Sequence, residues 1–260
     1  MAGSGVAARY PDLVGRTVFV SGGGSGIGAA FVRAFAGQGA RVAFVDIADA
    51  PSQALVAELA SAVRYWRCDV RDIVALKAAI TEAHDAFGPI RVLINNAARD
   101  DRHKFDEVTP EYWDDNQAVN LRHQFFAAQA VAPQMASAGG GSIINLGSVS
   151  WMRGRPEIAG YTTAKAAING LTRTLARELG ERNIRVNCIV PGAIATERQR
   201  ALWLSPEKER QFLEQQCLKF RLSEDDVART ALFLASDESR AITGQNLVVD
   251  AGLAQTSAFA

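Results

Sequence analysis

The chain has 260 residues, of which 48% are hydrophobic and 22% are charged, and its formal net charge is +0. This balance gives no electrostatic reason to expect nucleic acid or an anionic membrane as a partner. No segment has the length of a membrane span, and residues 1–11 lack the apolar core of a signal peptide, so we expect a cytoplasmic protein.

Short apolar segments alternate with longer segments of helical periodicity along the whole chain. The apolar segments, several of them rich in β-branched residues, predict strands at 17–20, 41–45, 65–68, 92–95, 142–146, 185–189 and 246–249. Apolar residues at helical spacing predict helices at 27–37, 53–61, 73–87, 111–137, 162–180 and 225–235. This alternation favours a doubly wound parallel sheet of about seven strands, flanked by helices on both faces, in a single α/β domain over residues 1–260.

Residues 196–222 interrupt the alternation between the last two predicted strands. The segment is helical in composition and carries Trp203, Phe212 and Phe220. A pair of surface helices would explain it. Because doubly wound sheets bind their ligands beyond the carboxyl ends of the strands, a cover over the substrate is the functional interpretation.

A glycine-rich segment, Ser21-Gly22-Gly23-Gly24-Ser25-Gly26-Ile27-Gly28, follows the first predicted strand and opens the first predicted helix. Glycine permits a tight turn and a close approach of backbone to pyrophosphate, and a helix N-terminus offers free N–H groups to the anion. The position between strand and helix therefore predicts a Rossmann-type dinucleotide site. The glycines fit two registers, one with Gly22, Gly26 and Gly28 and the other with Gly24, Gly26 and Ala29.

Asp46 ends the second predicted strand. A carboxylate at this place accepts hydrogen bonds from the adenosine ribose and repels a 2′-phosphate. Ile47, Ala48 and Asp49 follow it without an arginine, so the sequence favours NAD over NADP. A helix N-cap is the structural alternative for Asp46.

Tyr161 and Lys165 are four residues apart, so a helix places the phenol and the ammonium on one face. A neighbouring ammonium favours the phenolate, and we therefore expect a lowered pKa and a tyrosine that accepts a proton near neutral pH. Ser148 follows a predicted strand, where its hydroxyl can bond the same substrate oxygen. The alternative is that Tyr161 and Lys165 form an exposed pair on a helix surface without a catalytic role.

Together these residues resemble the short-chain dehydrogenase/reductase family over nearly the whole chain. Ser21 to Gly28 is similar to the family's Thr-Gly-x-x-x-Gly-x-Gly, with serine in place of threonine, and Asn95-Asn96-Ala97-Ala98 is similar to Asn-Asn-Ala-Gly. The resemblance implies four catalytic residues: Asn120, Ser148, Tyr161 and Lys165. It also implies dinucleotide contacts from Ser21, Gly22, Ser25, Gly26, Ile27, Gly28, Asp46, Ile47, Asp69, Val70, Asn95, Ala97, Ala98, Tyr161, Lys165, Pro191, Gly192, Ile194 and Thr196.

Less general stretches within the family, such as 100–104, 120–123 and 148–151, are similar to bacterial aldose 1-dehydrogenases. That resemblance implies a sugar substrate, with D-xylose expected and L-arabinose or D-galactose next. The predicted substrate residues are Ser148, Trp151, Tyr161, Arg99, Asp100 and His103. A dehydrogenase of a polyol, steroid or hydroxyacyl substrate, or a non-catalytic NAD-binding protein, is the alternative.

Family members often assemble as tetramers, so the resemblance implies a homotetramer. We expect no metal site. The three histidines are not at ligand spacing, and Cys68, Cys188 and Cys217 are too far apart for a zinc site or a disulfide framework.

Overall fold

The computed structural model describes residues 8–196 and 205–255. A single parallel sheet of seven strands in the order β3-β2-β1-β4-β5-β6-β7 forms its centre. The strands are β1 Thr17–Ser21, β2 Arg41–Asp46, β3 Val63–Arg67, β4 Ile90–Asn95, β5 Gly141–Leu146, β6 Ile184–Pro191 and β7 Asn246–Val249. The predicted α/β, doubly wound fold is confirmed.

Helices cover both faces of the sheet. They are α1 Gly26–Gly37, α2 Asp49–Leu59, α3 Ile73–Phe87, α4 Pro110–Gln117, α5 His123–Ser137, α6 Ala159–Leu179, α7 Pro206–Gln215 and α8 Glu224–Ala235. Local sequence explains several of their starts, since Asp72 caps α3 and Ser223 with Asp226 forms a capping box at α8. In the described part of the chain, no helix is both long and apolar enough to cross a membrane.

Alternation along the strands divides the core into two layers. Val18 and Val20 of β1 pack with α1 and α8 on one face, whereas Phe19 packs with α3 and α5 on the other. Because both faces are covered, every residue of β1 is buried. The strand order reverses between β1 and β4, and this reversal opens a crevice at the carboxyl ends of the central strands.

The predicted helix at 111–137 is not regular throughout. The structure has α4, then a π-helical segment at Ala118–Arg122, then α5. A π-helical turn inserts extra backbone into a helix and rotates the residues that follow, and it is frequent at functional sites. The apolar spacing predicted the helical segment correctly but not the π-helical turn within it.

The predicted cover at 196–222 is described only in part. Residues 197–204, including Trp203, lie outside the described residues. In the described part, Phe212 of α7 packs against a small apolar cluster with Val149 and Leu253, while Phe220 is exposed. A covering role stays a prediction.

The glycine-rich loop takes the first of the two predicted registers. Gly22 has a φ of +68°, in the left-handed region that glycine tolerates. A Cβ on Gly28 would lie 1.8 Å from the carbonyl oxygen of Gly22, so only glycine allows α1 to approach the loop this closely. The closeness sets the N-terminus of α1 directly beside the crevice.

Replacing Gly28 with alanine should therefore displace the loop. We expect Gly28→Ala to lower the free energy of unfolding by about 1–3 kcal/mol through overpacking, and to weaken nucleotide binding. Gly37→Ala, on the same helix with no heavy atom within 4 Å of the new Cβ, is the matched control and should be neutral or slightly stabilising. Chemical denaturation and nucleotide titration measure both effects. Equal behaviour of the two variants would contradict the proposed contact.

Candidate active site

A cavity of about 770 Å³ occupies the crevice at the carboxyl ends of the strands. Its wall is built from the glycine-rich loop, the end of β2, the loop after β4, the end of β5, α6 and the loop after β6. Ser148, Tyr161 and Lys165 line the same cavity as Gly26 and Asp46. The space is large enough for an extended ligand that reaches from β2 to α6.

The side chain of Asn96 holds the glycine-rich loop in shape. Its amide nitrogen donates to the carbonyl oxygens of Ser21 at 3.1 Å and Gly22 at 2.8 Å. In return, the Ser21 hydroxyl accepts from the backbone N–H groups of Asn96 and Ala97. The loop after β1 and the loop after β4 are thus joined by the chain's own hydrogen bonds, and the free N–H groups of α1 face the cavity.

Asp46 lies at the far end of the cavity from Tyr161's helix. Its Oδ2 accepts from the backbone N–H of Gly24 at 2.8 Å, and its Oδ1 accepts from that of Ala48 at 3.0 Å. Each carboxylate oxygen keeps a further lone pair for a ligand hydroxyl. Ile47, beside it, is 62% exposed and also lines the cavity. These features fit the adenosine ribose of a dinucleotide.

Lys165 is buried beneath the cavity, with 1% of its surface exposed. Its Nζ donates to the carbonyl oxygen of Leu146 at 2.7 Å and lies 5.5 Å from the centre of the Tyr161 ring. Burial lowers the pKa of Lys165 to about 8. The helical spacing therefore does bring the two side chains together, as predicted.

The pKa of Tyr161 differs from our expectation. Burial, helped by the charge of Asp100, raises the pKa to about 12. The groups that act to lower it are the Ser148 hydroxyl and the Arg155 guanidinium. The prediction of a lowered pKa for Tyr161 was wrong when only the protein's own side chains surround it. Desolvation of the phenolate raises the pKa by more than the nearby polar groups lower it.

Asn120 lies in the π-helical segment and is fully buried. Its Oδ1 accepts from the backbone N–H of Arg99 at 2.9 Å, and its Nδ2 donates to the Arg99 carbonyl at 3.0 Å and to Oδ1 of Asn116 at 3.1 Å. The side chain therefore clamps the loop after β4. Its implied catalytic role stays a prediction.

The predicted substrate residues separate into two groups. Arg99 and Asp100 line the cavity, although the Arg99 guanidinium is paired with Asp101 and with Asp115 at 2.7 Å. His103 and Trp151 are not among the residues of the wall. The His103 ring bonds the Tyr112 hydroxyl at 3.0 Å, and Trp151 is 37% exposed on the turn after β5. For these last two, a place beside the substrate stays a prediction.

The Arg99 pair belongs to a longer row of charges. Asp115 also bonds Arg71 at 2.6 Å, and Arg71 bonds Asp69. Arg71 holds the pKa of Asp69 below its usual range. The row connects the end of the cavity near β3 with the loop after β4.

Most of the implied dinucleotide contacts lie in the cavity wall. Those in the wall are Gly22, Ser25, Gly26, Ile27, Gly28, Asp46, Ile47, Asp69, Val70, Ala97, Ala98, Tyr161, Lys165, Pro191, Gly192, Ile194 and Thr196. Ser21 and Asn95 are buried beneath it, where Ser21 bonds the Asn96 backbone and Asn95 bonds Asn145 at 2.9 Å. These two support the wall from below.

Sequence reasoning missed Asn96 as the side chain that holds the loop, and it missed Arg155 in the cavity wall. Asn96 belongs to the motif Asn95-Asn96-Ala97-Ala98, so its amide could have been identified as a candidate. Arg155 has no such signal, because it lies in an irregular segment between β5 and α6. In the described ranges, no three His, Cys, Asp or Glu side chains are grouped so that they could hold a metal ion.

Comparisons with known proteins agree with this geometry. The family model described as Enoyl-(Acyl carrier protein) reductase matches residues 22–254. A protein of Rhizobium meliloti strain 1021, named Probable galactose dehydrogenase GalD, is 53% identical over 251 residues, covering 95% of this chain and 98% of the relative. D-xylose 1-dehydrogenase of Caulobacter vibrioides is 51% identical over 249 residues, with the same coverage. The chain belongs to the short-chain dehydrogenase/reductase family.

Solved structures of the family share the fold. A protein of Sinorhizobium meliloti 1021 described as a short-chain alcohol dehydrogenase superposes with a TM-score of 0.89 at 32% identity, covering 95% of this chain and 99% of that one. A blue fluorescent protein from a metagenomic library, solved with NADPH, gives 0.86 at 35% identity, covering 93% and 99%. As an oxidoreductase of this family, the chain binds a nicotinamide dinucleotide.

The depressed pKa of Lys165 predicts a pH dependence of stability. The unfolded chain binds this proton up to about pH 10.4, whereas the folded protein releases it near pH 8. The cost of burying the ammonium is therefore full below pH 8 and is relieved as the pH rises. Relative to Lys165→Met, the wild type should gain up to about 3 kcal/mol of unfolding free energy between about pH 8 and 10.5.

Urea unfolding of both proteins over this pH range measures the difference. Comparison with the variant removes contributions that the two share, such as that of the buried Cys68. Cys188 interacts electrostatically with Lys165, so its titration is part of the measured difference. A difference in free energy that stays constant with pH would show that Lys165 titrates normally.

Proposed function

We propose that this enzyme oxidises an aldose at C1 to the aldonolactone with NAD as the acceptor, and that D-xylose or D-galactose is the sugar. One observation carries the proposal: Ser148, Tyr161 and Lys165 line a single cavity whose other end holds Asp46 and the N-terminus of α1. The high identity to a D-xylose dehydrogenase and to a galactose dehydrogenase supports the choice of substrate class.

In the proposed reaction, the C1 hydroxyl of the sugar bonds Tyr161 and Ser148. The Ser148 hydroxyl already accepts from the Ser150 backbone N–H at 3.1 Å, which fixes its position and leaves its own proton for the substrate oxygen. Tyr161 removes the hydroxyl proton, and the C1 hydrogen leaves as a hydride. The bound nicotinamide supplies the hydride acceptor and carries a positive charge in its oxidised form.

Because the pKa of Tyr161 is raised, the proposed mechanism requires additional positive charge near the phenol. A phenol with a pKa of about 12 is a poor base near neutral pH, because few molecules carry the phenolate. Additional positive charge in the cavity lowers that pKa. Lys165 lies beside the ring. We propose that it also holds the nicotinamide ribose, so that the base is completed only when the dinucleotide is bound.

Charged groups favour a sugar over a steroid as the substrate. Asp100 and Arg155 both line the cavity on the Tyr161 side. Burying such groups against an apolar ring system is costly, whereas sugar hydroxyls donate to a carboxylate and accept from a guanidinium. This wall therefore supports a polyhydroxyl substrate among the dehydrogenase classes of the family.

An absorbance assay of NADH formation with D-xylose, L-arabinose, D-galactose, L-fucose, L-rhamnose, D-glucose and a 3α-hydroxysteroid tests the proposal. We expect turnover of at least one aldose. Tyr161→Phe should lose at least about 10²–10⁴-fold in kcat, because general acid–base catalysis is lost, while nucleotide binding persists. Turnover of the steroid alone would overturn the substrate class, and near-normal turnover by the variant would overturn the assigned base.

The preference for NAD is supported by Asp46, whose carboxylate would lie against a 2′-phosphate. The neighbouring arginines Arg67 and Arg71 are already paired with Asp49 and Asp69, so the site offers little compensation for added negative charge. One structural relative binds NADPH, which makes the cofactor a direct experimental question.

Changing two residues should move this preference toward NADP. Asp46→Ala together with Ile47→Arg removes the repulsion and adds a guanidinium, so the NADP-to-NAD ratio of kcat/KM should rise by about 10- to 100-fold. Each single substitution is a control, and Asp46→Ala alone also reports the cost of losing the bonds from Gly24 and Ala48. An unchanged ratio in the double variant would mean that Asp46 does not select the cofactor.

A further inference from the structure

Arg155 is a guanidinium in the cavity wall that has no hydrogen-bond or ion-pair partner among the described residues. It lies between β5 and α6, six residues before Tyr161. Within the described residues, its side chain donates no hydrogen bond and makes no ion pair. In contrast, Arg71 and Arg99, which also line the cavity, are both held by carboxylates.

The surrounding backbone places Arg155 rigidly. Its own N–H donates to the carbonyl of Ser150 at 3.1 Å, and Pro156 follows it. Glu157 has a φ of +64°, a strained value for a residue with a side chain, and its carbonyl accepts from the His103 N–H at 2.9 Å. The loop before α6 is thus joined to the loop after β4, and these contacts fix the backbone on which Arg155 stands.

The charges around Arg155 make it receptive to an oxygen ligand. Burial lowers its pKa, as does the positive charge of Arg102, and Asp100 acts in the opposite direction. A partly buried guanidinium without a partner loses hydration and gains no bond in return. A ligand oxygen that accepts its hydrogen bonds would compensate for that loss.

We propose that Arg155 binds the hydroxyl on the carbon next to the reacting carbon of the sugar, C2, while Asp100 accepts a hydrogen bond from the same substrate. The inference rests on the proposed function. The guanidinium supplies only donors and the carboxylate only acceptors, so together they fit neighbouring hydroxyls of a neutral sugar. A sugar acid is disfavoured because Asp100 would repel its carboxylate.

The assignment to C2 follows from the position of Arg155 relative to Tyr161. Both residues line the same cavity, six residues apart in the chain, and the charge of Arg155 acts to lower the pKa of the Tyr161 phenol against the larger effect of burial. Tyr161 bonds the oxygen on C1 in the proposed reaction, and the hydroxyl on C2 is its immediate neighbour on the ring. Arg155 would therefore act both in substrate selection and on the pKa of the proposed base, Tyr161.

The test compares Arg155→Gln with Arg153→Gln. Arg153 lies in the same loop but is exposed, and its guanidinium bonds Gln215 outside the cavity. For D-galactose, Arg155→Gln should raise KM by at least about 10-fold with an unchanged Kd for the nucleotide, since a charge-assisted hydrogen bond is lost. Arg155→Lys keeps the charge without the planar fork and should recover part of the loss. Arg153→Gln should resemble the wild type.

Deoxy sugars identify the hydroxyl concerned. The wild type should use 2-deoxy-D-galactose at least about 10-fold less efficiently than D-galactose, and Arg155→Gln should show almost none of this discrimination. D-fucose, which lacks only the C6 hydroxyl, should be discriminated equally by both proteins. In addition, the acidic limb of the pH profile of kcat/KM should move to higher pH in Arg155→Gln, because a positive charge beside Tyr161 is removed.

Three results would overturn the inference. The first is that Arg155→Gln behaves as Arg153→Gln does in KM and pH profile while the wild type oxidises aldoses. The second is that the variant keeps the full discrimination against 2-deoxy-D-galactose. The third is that the wild type oxidises no aldose, in which case the proposed function fails and the ligand assigned to Arg155 fails with it.

Discussion

The hydrogen bond from the buried ammonium of Lys165 to the carbonyl of Leu146 fixes the active side of this enzyme. It joins α6 to the carboxyl end of β5, so the helix that carries Tyr161 is set at the edge of the sheet. An ammonium without water needs such a partner, and burial here lowers its pKa to about 8. The position of Tyr161 relative to Ser148, two residues after Leu146, depends on this contact.

A second constraint acts through the loop after β4. Asn120 holds the Arg99 backbone, and Arg99, Asp115 and Arg71 continue as ion pairs toward Asp69. These groups are partly exposed, so each pair adds little stability alone. Their effect is geometric, because they keep the nucleotide side and the substrate side of the cavity in a fixed relation.

The order of elements and the location of the site could be predicted from sequence because both depend on local patterns. Apolar segments predict strands, the glycine-rich segment marks a turn between a strand and a helix, and the tyrosine–lysine spacing depends on the regular geometry of an α-helix. Features that depend on tertiary burial could not be predicted. The pKa of Tyr161 is raised mainly by desolvation, and the π-helical turn around Asn120 is a change in backbone hydrogen bonding that residue spacing does not show.

Side chains in irregular segments were the least predictable. The charged residues after β4 suggested several substrate contacts, yet His103 bonds Tyr112 and Arg99 bonds Asp115. Arg155, in the segment before α6, reaches the cavity instead. Which arginine of an irregular segment pairs with a carboxylate depends on the tertiary structure and could not be predicted from the sequence.

The bonds that Asn96 makes to Ser21 and Gly22 have a thermodynamic consequence for ligand affinity. A loop rich in glycine has unusually many conformations to lose, and a ligand that had to order it would bind correspondingly more weakly. Here the folded chain has already restricted those conformations through an asparagine amide on a neighbouring strand end. The conformational entropy of the loop is therefore lost when the chain folds, and ligand binding does not have to include that loss.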